Sequence, residues 1–550
     1  MSTHKLTVKI QAPAHELITR AFTILKDRIQ ERCLTAVVQG HAHATLVLAT
    51  DSDLAPDAFR IDEVDHVTRI ASGSPRGLIY GIGKFLRTSG YDGTFEPSSW
   101  RGTSVPQSSV RGMYFASHFH NWYHVASEEE ITRYMEDLML WGVNVFKVTF
   151  PFINLQDWND PEAQTALEMA SKYGRICKKL GLQFCIGINN TSFIGAPDHI
   201  RAQKLPSDQR LRGNCGHPIC PSNPEGLDYL MENIRHLFKQ FYDQFGDIGL
   251  DFVKFWPYDE GGCACEKCKP WGCNGFFNFA RQITKMGREY FPGMQAILCT
   301  WVFDTPYEGE WPGLTTAMGK DGNWVDYILA DSHTDFPRYP LDVGVPGNLP
   351  LLNFPEISMW GNLPWGGWGA HPLPDRFGRL WDQVKHVVKG GFPYSEGIYE
   401  DMNKAIVVQF YWDRDQTAQE TLKEYIAYEF GAGVTQDVLA IVEILEDSAT
   451  CDRTDEPVNK QNVQCAFELA DAVNGRLPNW GRKSWRWEIL SLRTVLDRER
   501  FVVGSIQTPE AQSAMARLME IYHCQMETHD PYHHRVRPLF KQALSLGGED

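Results

Sequence analysis

The chain has 550 residues, about four times the ~150 of a single domain, which leaves room for two to four domains or one large barrel with appendages. Its 53 Lys and Arg stand against 69 Asp and Glu, a net charge of −16 without a basic run, which argues against a binder of nucleic-acid phosphates. With 43% hydrophobic and 22% charged residues it is not a disordered chain, and its 17 Trp point to flat apolar surfaces for a ligand. The start, Met1 to Ile10, lacks the charged region and apolar run of a signal peptide. No apolar stretch reaches the ~18 residues that a membrane span needs. The 13 Cys are odd in number and mostly scattered singly (Cys33, Cys177, Cys185, Cys299, Cys451, Cys465, Cys524), which reads as reduced thiols in a cytoplasmic protein.

In chain order, residues 1–105 form the first region. Leu6-Thr-Val-Lys-Ile10 alternates with period two, 16–32 has helical spacing, and 44–49 is a buried-strand run. The region ends in an apolar helix, 76–87, whose Gly residues allow close packing, and a Ser- and Pro-rich linker follows over 96–109. Strand-like runs then recur at 110–116, 144–150, 182–188, 251–256, 294–302, 326–330, 349–354 and 391–394. Amphipathic segments at 128–141, 164–180, 227–241, 276–290 and 375–388 lie between them. Eight strands with intervening helices over roughly 300 residues predict a (β/α)8 barrel, an α/β TIM barrel. A doubly wound open sheet is the alternative, but 115–121 is not the Gly-rich phosphate loop that such a sheet carries after its first strand. The last region has no convincing strand and predicts helices at 417–430, 437–448 and 511–528. The expected division is 1–105 for a small α/β domain, 106–415 for a catalytic barrel and 416–550 for a helical C-terminal region.

Active residues of such barrels lie at the C-terminal strand ends. These carry His118, His120, Asn121 and Trp122 after the first strand, Asp259-Glu260 after the fourth, and Trp301 and Asp304 after the fifth. Asp331 and His333 follow the sixth, Glu356 and Trp360 the seventh, and Glu396 the eighth. Carboxylates and aromatics abound there and Lys is almost missing, which suits sugars better than phosphates. Glycosidic cleavage needs an acid for the leaving oxygen, and two neighbouring carboxyls raise one pKa into a useful range, so Glu260 is the expected acid and Asp259 its partner. The plainer reading is a solvated Asp-Glu at a loop start. Glu356 and Glu396 are second-line acids, as base or hydroxyl ligand, or else a helix cap or a partner for Arg. Trp360, Trp365 and Trp368 stand among Gly residues and read as a sugar-stacking loop, or as a loop packing its own aromatics. His118 and His120 suit hydroxyl recognition or a metal. Arg111, at the start of the first strand, either reaches the pocket or is structural. Cys263, Cys265, Cys268 and Cys273 could close a structural zinc site, with Cys215 or Cys220 completing it instead; free thiols or a local disulfide are the alternatives.

These motifs resemble those of glycoside hydrolases. The segment from Ser74 to Arg87 resembles the small α/β domain that precedes the barrel in family 20 hexosaminidases and family 67 α-glucuronidases. Val110-Arg111-Gly-Met-Tyr114 is similar to the first barrel strand of the hexosaminidases, where the resemblance implies that Arg111 binds sugar hydroxyls. Asp259-Glu260 matches their acidic pair, which implies Glu260 as general acid/base and Asp259 orienting a nucleophilic acetamido group, with retention. Phe255-Trp-Pro-Tyr258 stands where those enzymes carry His-x-Gly-Gly. The Cys263–Cys268 segment is similar to one in family 163 endo-β-N-acetylglucosaminidases. Resemblance to the α-glucuronidases implies another plan, an inverting one, with Glu260 as acid and Asp331, Glu356 or Glu396 serving water. It also implies a helical C-terminal region that supports a homodimer.

The sequence thus leads to a cytoplasmic, exo-acting glycosidase with an oligosaccharide or glycoside substrate. No cofactor is required beyond a structural zinc, and neither nucleic acid nor membrane is a partner. A carbohydrate-binding barrel without catalysis is the reading from another class.

Overall fold

The computed structural model describes residues 5–117, 121–152, 155–189, 191–203, 218–246, 249–258, 261–304, 309–332, 335–357, 372–395, 397–398, 401–449 and 457–522. The first strands, β1 (Lys5–Gln11), β2 (Ala36–Gln39), β3 (Leu46–Thr50), β4 (Phe59–Val64), β5 (Val67–Ser72) and β6 (Gly102–Ser104), form a mixed sheet in the order β2-β1-β3-β5-β4-β6. β4 and β5 are joined by Asp65 and His66, both with positive φ (51° and 63°), as a two-residue hairpin with right-handed strand twist requires. Helices α1 (Glu16–Gln30) and α2 (Pro75–Arg87) pack with this sheet. Helix α2 also meets the barrel: a Cβ on Gly83 would lie 2.2 Å from the Leu140 carbonyl oxygen, so only Gly permits this approach.

The barrel strands are β7 (Val110–Phe115), β8 (Val145–Phe150), β9 (Gln183–Asn189), β10 (Phe252–Trp256), β11 (Gln295–Cys299), β12 (Tyr327–Asp331) and β13 (Leu351–Phe354), with the eighth split into β14 (Val388–Gly391) and β15 (Tyr394–Ser395). All pair in parallel with their sequence neighbours, and both parts of the eighth strand pair with β7, which closes the barrel. The split sits at Pro393, which has no N–H to give a ladder. Just before it, Gly390 takes φ +119° with its backbone against Val110. The eighth strand therefore begins earlier than the run at 391–394 predicts. The other seven observed strands overlap the runs read from the sequence.

Helices α3 (Trp122–Val125), α4 (Glu128–Leu140), α5 (Pro161–Lys179), α6 (Pro224–Phe245), α7 (Phe277–Tyr290), α8 (Glu310–Asp321), α9 (Arg338–Asp342), α10 (Pro374–Val384) and α11 (Asp401–Trp412) lie between or after the strands. Local chemistry starts several of them. Ser127 and Glu130 form a reciprocal capping box on α4, and Asp160 and Asn223 cap α5 and α6 ahead of a Pro at the first position. Among the helices that escaped sequence reasoning, α8 and α11 lie in the barrel. Trp311-Pro-Gly313 and Gly319 disguise α8. In α11 even Asn403 and Lys404 are buried, so no polar face marks its period.

The C-terminal region consists of α12 (Ala418–Glu429), α13 (Thr435–Ser448), α14 (Lys460–Arg476), α15 (Asn479–Arg482), α16 (Trp485–Asp497) and α17 (Pro509–Tyr522). The fold is thus a closed eight-stranded α/β barrel with a small N-terminal sheet domain and a helical C-terminus. The helical region is tied to the barrel by buried polar contacts. Asp401 accepts hydrogen bonds from the Tyr134 hydroxyl at 2.7 Å, the Tyr425 hydroxyl at 2.6 Å and Arg486 Nε at 2.6 Å. No helix among the described residues is long and apolar enough to cross a membrane.

Candidate active site

Inside a closed parallel barrel every second side chain of each strand points inward. The interior cluster contains Tyr114, Phe252, Trp256, Cys299, Leu329, Phe354 and Tyr394, with Trp301 and Tyr327 packed against it. Continuing the same alternation puts Trp301, Asp331 and Glu356 at the C-terminal mouth, beyond β11, at the end of β12 and beyond β13. Glu356 is 6% exposed and pairs by a parallel bridge with Tyr394. Trp256 and Trp301 stack with ring centroids 5.1 Å apart and planes at 29°. Phe354 meets Trp256 edge-on at 4.9 Å, and Tyr394 meets Tyr114 edge-on at 4.8 Å. The floor of the mouth is therefore aromatic and its rim carries carboxylates.

Two lysines lie in this interior, and sequence reasoning missed both. Lys147 and Lys254 are at most 1% exposed. Lys147 Nζ donates to Thr149 Oγ1 at 2.5 Å and sits 3.1 Å from the Tyr114 ring centroid. Lys254 Nζ lies 3.7 Å from the Trp256 centroid and 4.6 Å from that of Phe354. The signal was present: Val-Phe-Lys-Val-Thr-Phe150 places a cation in the middle of an apolar strand, which happens where something inside satisfies it. Burial pushes the neighbouring Cys299 thiol up to about 12; Lys254 and Lys147 pull it down and Asp331 pushes it up, so all these charges share one field.

The loop after β10 is set by a buried carboxylate. Glu310, at the start of α8, accepts hydrogen bonds from the Tyr258 hydroxyl and from the backbone N–H of Gly272 (2.9 Å) and Cys273 (2.7 Å). Burial raises its pKa, and these hydrogen bonds hold the rise down. Trp271 Nε1 donates to the Pro257 carbonyl at 2.6 Å, which ties the far side of the loop to the strand end. Asp304 accepts from Trp311 Nε1 at 3.0 Å, and burial raises its pKa.

Several residues singled out from the sequence lie outside the described residues: Asp259, Glu260, Glu396, His118, His120, His333, Trp360, Trp365 and Trp368. Among the described ones, Asn121 is occupied as the cap of α3, accepting from the Tyr123 N–H at 2.9 Å and donating to the Ala116 carbonyl at 3.1 Å. The substrate-binding expectation for Arg111 needs correction. It faces outward at the N-terminal end of β7, where its guanidinium donates to Asp57 at 2.7 Å, the Gly142 carbonyl at 2.7 Å and the Ser108 carbonyl at 2.8 Å. It is 1% exposed, between Tyr80 and Trp412, and joins the N-terminal domain to the bottom of the barrel. The abundance of Trp also reads differently in three dimensions. Among the described residues, Trp141, Trp271, Trp311, Trp324, Trp381, Trp412 and Trp487 are buried packing residues, whereas Trp256 and Trp301 stand at the mouth.

The cysteines form a different set from the expected one. Cys220, Cys263, Cys265 and Cys268 bring their sulfurs within 4.8 Å of one another. Cys273 is not among them: its Sγ lies against Gly309 and Gly313 of the α8 start, and its N–H is held by Glu310. Cys220, just before α6, takes its place, because the loops after β9 and β10 are neighbours around the barrel.

No family model matches the sequence, and no curated protein matches it by sequence. Solved structures do share the fold. A family GH115 4-O-methyl-α-glucuronidase with specificity for decorated arabinogalactans superposes with TM-score 0.61 at 9% identity, over 100% of this chain and 80% of that one. A family 89 glycoside hydrolase from Clostridium perfringens, in complex with a 2-acetamido-dideoxynojirimycin, gives TM-score 0.61 at 10% identity, over 92% of this chain and 65% of that one. A Streptomyces plicatus β-hexosaminidase variant, in complex with its product GlcNAc, gives 0.53 at 12% identity, over 77% and 91%. The chain therefore has the barrel fold that these glycoside hydrolases share.

Proposed function

We propose that the protein is a glycoside hydrolase that cleaves an O-glycosidic bond at the C-terminal mouth of its barrel. The observation that carries this reading is the stacked Trp256–Trp301 floor with Asp331 and Glu356 at the adjacent strand ends. Aromatic faces stack on the apolar faces of sugar rings, and carboxylates bind hydroxyls and move protons. The fold shared with enzymes of three glycoside hydrolase families supports the same reading.

In the first version, Glu260 is the general acid/base and Asp259 orients a 2-acetamido group that attacks the anomeric carbon, with net retention. Acetamido sugars or mimics are the ligands of two of the structural neighbours, which supports this version. The placement of Glu356 favours a second version, in which Glu260 is the acid and Glu356, or Glu396, serves water with inversion. A base for water is needed at the barrel mouth, where this strand end places a carboxylate beside the aromatic floor.

A panel of aryl N-acetylglucosaminides, glucosides and glucuronides in both anomers tests the reading. Turnover of one member, lost by about 10²-fold to 10⁴-fold in Glu260→Gln with the fold intact, is the expected result. Selective hydrolysis of an acetamido sugar supports the first version, and preference for a glucuronide or plain glucoside the second. Saturable sugar binding with no turnover anywhere in the panel would make the barrel a carbohydrate-binding protein.

A further inference from the structure

We infer that Cys220, Cys263, Cys265 and Cys268 bind one zinc ion as a closed, four-thiolate structural site. The inference stands on the geometry of the sulfurs and is independent of any glycosidase activity. A tetrahedral zinc with Zn–S bonds of about 2.3 Å separates its sulfurs by about 3.8 Å. Cys220 Sγ lies 3.8 Å from Cys265 Sγ and 3.9 Å from Cys268 Sγ, and all four sulfurs converge within 4.8 Å. A disulfide would need about 2.05 Å and would join only two of them.

The surroundings suit thiolates. The Ser222 hydroxyl lies 3.0 Å from Cys268 Sγ, as a donor to a negatively charged sulfur would. Such a contact belongs to the outer shell that orients metal-bound thiolates. Cys263 and Cys268 are buried, which keeps water off the ion. With Zn²⁺ and four thiolates the centre carries two negative charges; Lys267 stands in the same loop, while Lys269 is paired with Glu266 at 2.6 Å. Binding releases four protons to solvent, one per thiol, and leaves no open position for substrate or water. The role is mechanical: the ion cross-links the turn before α6 to the loop after β10. That loop runs on from Asp259 and Glu260, so under the reading proposed above the zinc braces the segment that bears the acid.

The test is the metal content of the full-length protein, purified under reducing conditions with zinc in the medium and freed of loose ions by gel filtration. One zinc per chain by elemental emission is expected. Titration with an organomercurial, in the presence of a zinc indicator, should release it as four thiols react. Replacement by Co²⁺ should give the intense visible bands of a tetrahedral thiolate centre. Cys265→Ser should lose the ion and Cys273→Ser should keep it. If Cys265→Ser does not fold, the titration of the unaltered protein still decides the matter. A chain without stoichiometric metal, a Cys220–Cys265 or Cys220–Cys268 disulfide found by mass spectrometry, iron in place of zinc, or loss of zinc in Cys273→Ser would each overturn the assignment. None of these outcomes depends on hydrolysis, so failure here is distinct from failure of the proposed activity.

Discussion

Tyr258 and Glu310 are joined by a hydrogen bond that pins the end of the fourth barrel strand to the start of α8. Tyr258 is the residue before Asp259, and Glu310 also gathers the N–H groups of Gly272 and Cys273 from the far side of the loop. The pair therefore closes the segment that bears the proposed acid. A hydrogen bond to a charged group contributes about 1.5–3 kcal/mol. Tyr258→Phe should lower stability by about that amount. It should also reduce kcat by about 10-fold to 100-fold with KM nearly unchanged, since small misplacement of a catalytic group is costly. Denaturant melts and steady-state kinetics on the best substrate of the panel check both parts.

Arg111 is predicted to act on stability and not on substrate. Asp57 is pushed up by burial and pulled further down by the Arg111 and Arg76 guanidiniums, so its pKa falls below the usual value. Stability from such a group is present above its unfolded pKa and is lost as pH falls through the folded one. Arg111→Met removes one guanidinium from a buried pair, at a cost of about 3–5 kcal/mol. The variant should lose part of the acid-side slope of its stability profile, while KM of the folded enzyme stays the same. Unfolding curves between neutral and acid pH measure this.

Glu446 caps a helix that its own neighbours leave open. Leu373 offers no side-chain acceptor, and Glu446 from α13 accepts the N–H groups of Asp375 (3.0 Å) and Arg376 (2.8 Å) at the start of α10. Burial raises its pKa from 4.5 to about 7, with those N–H groups opposing the rise. The native state thus holds the proton more tightly than the unfolded chain. This contribution is complete below 4.5 and is lost as pH rises to about 7, a loss of at most about 3 kcal/mol. Glu446→Gln should flatten the fall in stability across this window. An unchanged slope in thermal melts at successive pH values would remove Glu446 from the account.

Glu356→Gln separates the two versions of the mechanism. If Glu356 serves water, kcat should fall by about 10²-fold to 10⁴-fold with the fold retained. A change of only a few fold would favour the acetamido route through Asp259.

Trp301 is part of the floor and only partly buried, so its loss should weaken stacking more than folding. With about 0.5–1.5 kcal/mol for such a contact, Trp301→Ala should raise KM by roughly two-fold to ten-fold. Initial-rate kinetics read this directly.

Much of the architecture was legible in the sequence because strand and helix signals are local. Apolar runs bounded by turn residues marked eight barrel strands. Amphipathic spacing marked 128–141 and 227–241, which are α4 and most of α6. The outliers were segments whose local signal is weak, such as the wholly buried α11 and the Pro- and Gly-bearing α8.

Strand ends also nominated Asp331, Glu356 and Trp301, since in this fold function follows strand direction. Three features depended on the closed barrel. Strand β7 is buried on both faces, so its sequence does not tell which parity faces in, and only packing turns Arg111 outward to Asp57. Lys147 and Lys254 become one charged cluster because β8 and β10 flank β9, where Gly187 leaves room for the Lys147 side chain. Cys220, rather than Cys273, joins Cys263, Cys265 and Cys268, because barrel closure makes neighbours of loops far apart in the chain. Propensity acts over a few residues, whereas convergence of side chains is decided by the register and curvature of the whole sheet.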